Sequence, residues 1–245
     1  MMKMIEKVFI SGKIIAVTGL HVGGSRTALD IGGIDLNVIK TSNGIPYIPG
    51  SSVKGKLRSL LAREYGSVAI SKQEKGVKNG ETTDDDIPVM RELFGSAGEK
   101  NSNGTPSRLI VRDAFLDTSF FDAQKNKGGL FDELDMEYTE GKWENTIERK
   151  TGTAKNPRPV ERVPAGARFN FEIVYNVFDD NKKKEHIEEL IRALRLLEDD
   201  YLGGQGSRGY GRISFDRDAM TYEYKSIDDY RNGNERHELT GFARL

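Results

Sequence analysis

RFNFEIVYNV, Arg168 to Val177, places Phe169, Phe171, Ile173, Tyr175 and Val177 on one side of an extended chain and mostly polar residues on the other. A period of two held over this length predicts a strand with one face in the core. Downstream the period changes. Ile187, Leu190, Ile191, Leu194 and Leu197 fall on one stripe of a helix spanning Lys183 to Glu198. A glycine-dense stretch, Gly203 to Gly211, follows, and Arg212 to Phe215 reads as a short strand. Working toward the N-terminus, Phe121 to Pro164 is charged, carries Pro157 and Pro159, and shows little periodicity. Arg108 to Phe115 reads as one strand and Val89 to Phe94 as a short helix stopped by Gly95. Val53, Leu57, Leu60 and Leu61 mark a helix that Ser51-Ser52 can cap and Gly66 ends. VFISGKIIAV, Val8 to Val17, is a first strand rich in β-branched residues.

The order is β-α-β, a long insertion, then β-α-β. That predicts an α+β chain on the ferredoxin-like plan, the sheet that also underlies the RRM-type RNA-binding module. Many activities share this plan, so the plan alone assigns none. Residues after Asp216 carry little pattern and read as a polar tail.

Composition narrows the field. The chain has 245 residues, 36% hydrophobic and 31% charged, which suits a soluble globular protein. No apolar run is long enough for a membrane span, and Met1 to Lys7 lacks the core of a signal peptide. Cysteine is absent, which excludes disulfides and thiolate metal sites and fits a cytoplasmic location. Net charge is −1, unlike the basic excess typical of non-specific nucleic-acid binding. The basic residues cluster, however. Between Lys142 and Arg168, seven lysines and arginines oppose three glutamates, a net of about +4 and a local field able to meet a polyanion.

Two nucleotide-binding patterns can be set aside. Gly50 to Lys56 matches G-x-x-x-x-G-K, but the magnesium-binding hydroxyl position is Leu57, which belongs to the helical stripe. Gly204 to Gly209 matches G-x-G-x-x-G, but follows a helix and precedes a strand, the reverse of the dinucleotide-binding order. Both segments still offer backbone N–H groups to phosphates, at a helix start and in a loop a second backbone can approach. Lys54 and Arg58, four apart, share one helical face, and Arg208 stands in the glycine-dense loop. His186 and His237 read as surface residues. No three residues have metal-ligand spacing, and no nucleophile elbow supports a Ser-His-Asp site. His21 and two loop aspartates, Asp30 and Asp35, lie in the first glycine-rich region.

Seven stretches together carry a resemblance: TGLHVGG (Thr18 to Gly24), GGID (Gly32 to Asp35), IPYIPGSSVKGKLRSLL (Ile45 to Leu61), FGS (Phe94 to Ser96), WENTIER (Trp143 to Arg149), NPRPVERV (Asn156 to Val163) and LEDDYLGGQGSRGYGRI (Leu197 to Ile213). In this order they resemble the backbone subunit of type III-A (Csm) CRISPR effector complexes, within the RAMP superfamily. The resemblance implies a single domain. Its ferredoxin-like palm covers about 7–66, 108–120 and 167–217, and a thumb-like β-hairpin lies in about 121–166. The resemblance fades in Ser67 to Asp86 and after Asp216; by composition about 67–107 reads as a mobile insertion and about 218–245 as a polar tail. It implies copies stacked along a CRISPR RNA, with other Csm subunits and a complementary single-stranded target RNA as partners and no membrane. It puts the catalytic carboxylate at Asp35, with Asp30 the weaker candidate. RNA contacts fall on His21, Lys54, Arg58, Gly204, Gly206 and Arg208, and the local positive charge of the hairpin adds Arg149 and Lys150.

An aspartate, with pKa near 3.9, is a poor base at pH 7. Asp35 is therefore expected to hold a divalent metal, Mg2+, that neutralises charge developing on phosphate, while the RNA supplies its own 2′-OH nucleophile. The rival readings are a non-catalytic CRISPR RNA scaffold, a phosphate-binding enzyme using Gly50 to Lys56, and an assembly protein without RNA.

Overall fold

The structure, a computed structural model, describes residues 2–24, 36–66, 87–96, 104–126, 128–134 and 136–245. In chain order its elements are β1 (Met4–Ala16), β2 (Tyr47–Ile48), α1 (Gly50–Glu64), α2 (Pro88–Phe94), β3 (Leu109–Val111), β4 (Ala114–Leu116), α3 (Thr118–Ala123), β5 (Glu140–Ile147) and β6 (Ala154–Arg162). They continue with β7 (Arg168–Phe178), α4 (Lys183–Glu198), β8 (Ile213–Phe215), β9 (Thr221–Ser226), α5 (Ile227–Asn232) and β10 (His237–Glu238).

The two longest strands, β1 and β7, form the antiparallel centre, with Val8 opposite Tyr175, Ile10 opposite Ile173 and Ile14 opposite Phe169. The alternation expected of 168–177 is kept: Phe169, Phe171, Ile173, Tyr175 and Val177 are all buried. They share one core with Leu57, Leu60 and Leu61 of α1 and Ile187, Leu190, Ile191 and Leu194 of α4. The main sheet runs β10-β9-β1-β7-β4-β2, with β3 also on β7 and β8 on β1. Among the described residues, β5 and β6 form a second, two-stranded sheet. The architecture is mixed α and β with antiparallel ladders.

Three expectations change. The strand read over Arg108 to Phe115 is broken into β3 and β4, and the break puts Asp113 Oδ1 2.8 Å from the Gly50 N–H, which donates to it. That explains the second change. Helix α1 starts at Gly50 behind Pro49 and takes no side-chain cap from Ser51 or Ser52; Asp113 satisfies the first N–H from another strand. Third, the residues after Asp216 are folded. β9 pairs with β1 from Glu6 to Ser11 and buries Tyr222. α5 opens on a capping box between Ser226 and Asp229 and closes at Gly233.

The unreadable region between Phe121 and Pro164 contains two structures. α3 is capped by Asp117, whose Oδ1 accepts from Phe120 N at 3.0 Å. Phe121 stacks on Phe131 at 3.9 Å between ring centroids. The β5–β6 hairpin then pairs Trp143 with Pro159 and Glu144 with Arg158. Proline donates no ladder hydrogen bond, so a two-stranded ribbon tolerates it where a strand paired along both sides would not.

Candidate nucleic-acid interface

The hairpin's root gathers the site. As β6 ends, Val163 bridges Leu20 and Val160 bridges Leu36, and the Glu161 N–H donates to the Leu36 carbonyl at 3.0 Å. Residues 22–24 and 37–39 also meet: Gly24 N donates to Asn37 O at 3.0 Å and Ile39 N to Val22 O at 2.9 Å. Asp30 and Asp35 lie between these two segments in sequence and outside the described residues. Asp35 directly precedes Leu36, so its neighbour is fixed to the hairpin root.

His21 is buried. Its Nδ1 is 2.7 Å from the Glu161 carbonyl, and its own carbonyl accepts from Gly204 N at 2.8 Å. The loop above it requires glycine. Gly203 has φ +80°, and a Cβ there would fall 2.3 Å from the His21 oxygen. The Gly204 N–H is therefore spent on His21 and does not face outward. Arg208 is exposed at the end of the turn Gly206–Arg208.

Glu161 links the same elements through its side chain. Its carboxylate accepts from Val38 N at 2.9 Å and from Thr139 Oγ1 at 2.6 Å, and it pairs with Lys40. Burial alone would raise this carboxyl, but Lys40, Thr139 and the Val38 N–H outweigh it and hold the pKa below the usual range. Tyr210 joins the glycine loop to β5, donating to Glu144 Oε1 at 2.8 Å. Lys142 and Arg162 lie over its ring at 4.6 and 5.2 Å. Burial first, then the bond to Glu144, pushes its pKa up to about 12. A cleft of about 320 Å³ opens beside Tyr210, Tyr201, Gly206, Thr18 and Arg212.

On α1, Lys54 turns inward. Its Nζ donates to Ser107 Oγ at 2.6 Å and to the Leu109 carbonyl at 3.0 Å, two neutral acceptors. Burial, and then the charge of Arg58, lower its pKa. Arg149 and Lys150 are exposed at the distal turn of the hairpin. The structure thus brings together His21, the glycine loop and the hairpin root, and leaves Arg149 and Lys150 at the hairpin's far end. His186, expected at the surface, is buried, because Tyr175 and Glu92 meet its ring inside the protein. Among the described residues no group of three His, Asp or Glu could hold a metal, and no helix is long and apolar enough to cross a membrane.

Sequence reading missed Tyr210, Glu161 and Lys40. Tyr210 carried a signal, an aromatic side chain within a glycine-dense loop. Glu161 and Lys40 carried none, because their partnership spans 121 residues of chain.

Comparison with known proteins gives the lineage. Residues 13–214 match the RAMP superfamily model. A relative from Enterococcus italicus named CRISPR system Cms endoribonuclease Csm3 is 44% identical, over 89% of this chain and 93% of its own. Relatives of the same name from Streptococcus thermophilus and Methanocaldococcus jannaschii are 41% and 42% identical, over 91% and 94% of this chain and 93% and 85% of their own. A crystal structure of a Csm3–Csm4 subcomplex of the type III-A CRISPR-Cas interference complex aligns over 98% of this chain and 92% of that one, at 28% identity and a TM-score of 0.55. Csm3 of Methanopyrus kandleri shares the fold, with a TM-score of 0.59 at 22% identity over 94% of this chain and 80% of that one. By motif order, full-length similarity and fold, the chain belongs to the Csm3 family of the RAMP superfamily.

Proposed function

We propose that this chain is the RNA-guided backbone subunit of a Csm-type CRISPR effector complex, and that it also cleaves the target RNA. Copies associate along the guide RNA together with other Csm subunits, and each presents one cleavage site to the complementary strand. The observation that carries this reading is the convergence at the hairpin root. There β6 holds Leu36, Val163 just past its end holds Leu20, and His21 holds Gly204. One place thus receives the glycine loop that carries Arg208, a basic hairpin and the residue next to Asp35. The names and lengths of the relatives support the same function.

The strand order β8-β1-β7-β3, with α1 after β1 and α4 after β7, supports reading the sheet as a ferredoxin-like palm. We read the β5–β6 hairpin as the thumb that parts guide and target strands. A target nucleotide freed from its duplex can swing its 2′-OH in line with the adjacent phosphate. The 2′-oxygen then bonds to phosphorus as the bond to the 5′-oxygen breaks, and the hydroxyl proton passes to solvent while the leaving oxygen takes one up. Positioning supplies much of such a rate. Asp35 is the carboxylate assigned to the cut. A divalent cation such as Mg2+, held by Asp35 with the RNA's own phosphate oxygens, would neutralise the charge that develops there.

The test compares wild type with Asp35→Ala, each assembled with guide RNA and partner subunits, with magnesium and with chelator. Target binding is expected to persist in the variant while cleavage is lost, and chelator is expected to abolish wild-type cleavage. Undiminished cutting by Asp35→Ala would reduce this chain to a scaffold or move the chemistry to Asp30. Cutting that survives chelation would remove the metal.

A further inference from the structure

Lys56, the lysine of the G-x-x-x-x-G-K pattern, has no part in the function proposed above. On α1 its Nζ lies 3.6 Å from the centroid of the Tyr201 ring and 3.1 Å from Asp200 Oδ2. Arg63 of the same helix approaches that oxygen at 4.0 Å. The glycine loop rests on the same ring. A Cβ at Gly206 would fall 2.1 Å from Cγ and 2.3 Å from each Cδ of Tyr201, so the loop backbone lies flat against the aromatic face. An ammonium and a backbone cannot share one face at these separations, so the ring stands between them. Gly206 opens a turn flanked by left-handed residues, Gln205 at φ 63° and Gly209 at φ 83°. A non-glycine residue holds such a conformation only where its surroundings enforce it.

We infer that Tyr201 is a positioning residue. Clamped between Lys56 of α1 and Gly206 of the loop, its ring fixes how far apart, and in what register, Arg58 of α1 stands from Arg208. The inference rests on reading these two segments as the guide-RNA contact. Phosphates recur along an RNA strand at a set spacing. Two cationic segments act on one strand as a single surface only if their separation is set before binding; otherwise each must be ordered as it binds. The ring makes both contacts and the hydroxyl makes neither, so phenylalanine should serve equally well. Any side chain at position 206 would push the ring out.

The experiment measures binding of a fluorescent single-stranded guide RNA to the full-length chain by anisotropy, with thermal unfolding followed in parallel. Tyr201→Phe is expected to bind as wild type. Tyr201→Leu and Gly206→Ala are each expected to lose roughly tenfold or more in affinity. Their double variant should lose no more than the weaker-binding single, because both changes break one contact. Lys56→Met is expected to weaken binding in wild type and to add nothing in Gly206→Ala, which keeps the question decidable if Tyr201→Leu does not fold. Wild-type affinity in Tyr201→Leu, or additive losses, would overturn the clamp. So would a loss in Tyr201→Phe as deep as in Tyr201→Leu, which would make the hydroxyl a direct RNA contact. A wild type that binds no guide RNA defeats the functional reading itself, whereas a binding wild type with silent variants defeats only the clamp.

Discussion

His186 lies inside the protein with Tyr175 Oη 2.8 Å from Nδ1 and Glu92 Oε2 3.0 Å from Nε2. Around it Arg108 pairs with Asp180 at 2.6 Å, and Lys182 with Glu92 at 2.5 Å. Burial, and next the charge of Arg108, lower the imidazole pKa; Glu92, Glu185 and Asp180 oppose this and are outweighed. The folded protein therefore keeps His186 neutral at a pH where the unfolded chain would protonate it. Stability from this site is full above the ordinary histidine value of about 6.5 and is lost as pH falls from there through the lowered folded value. Urea unfolding at about pH 7.5 and pH 5.5 checks this: wild type should lose stability on acidification, and His186→Gln should lose less. Equal losses would mean that the carboxylates around Arg108, not the imidazole, set the acid response.

Among the elements, α1 shows how a helix can begin without a cap of its own. The Gly50 N–H is satisfied by Asp113 from the break between β3 and β4, so strand and helix hold each other. Asp113→Ala should cost about 1 kcal/mol, the usual worth of a capping carboxylate, read as a lower urea midpoint with unchanged slope. A cost near zero would mean that water replaces the carboxylate freely. Sequence legibility follows from the same physics. β1, β7, α1 and α4 were readable because each buries a full face, which stamps a period of 2 or 3.6 on the residues. β9 was not, since its burial rests on few residues and its pairing comes from distant β1. β5 and β6 were not, because they pack locally on Tyr210 and leave Trp143 and Ile147 in solvent. At the site, His21 and the glycine loop were visible as unusual local sequence. The ties that hold them to the hairpin, His21 to the Glu161 carbonyl and Tyr210 to Glu144, cross the chain and leave no local trace.

For the whole molecule, a net charge of −1 and a basic hairpin are reconciled if the chain presents one surface to RNA and others to protein. The hairpin points to what the protein-facing surfaces meet. Trp143 is 68% exposed and Ile147 65%, on a ribbon whose turn carries Arg149 and Lys150. Large apolar side chains left in solvent on a strand that leads to cations suit burial against another molecule. The proposed head-to-tail array along the guide RNA would provide that cover for every hairpin but the last, and such an interface would not close on itself. Light scattering on the full-length chain, mixed with guide RNAs of increasing length, should therefore show mass rising in steps of one chain as the RNA lengthens. Trp143→Ala should shorten the arrays while shifting the unfolding free energy of the isolated chain by no more than about 0.5 kcal/mol, as expected of a side chain its own fold leaves exposed. One chain per RNA at every length would rule out the head-to-tail array. Full-length arrays from Trp143→Ala would instead place the contact elsewhere on the chain.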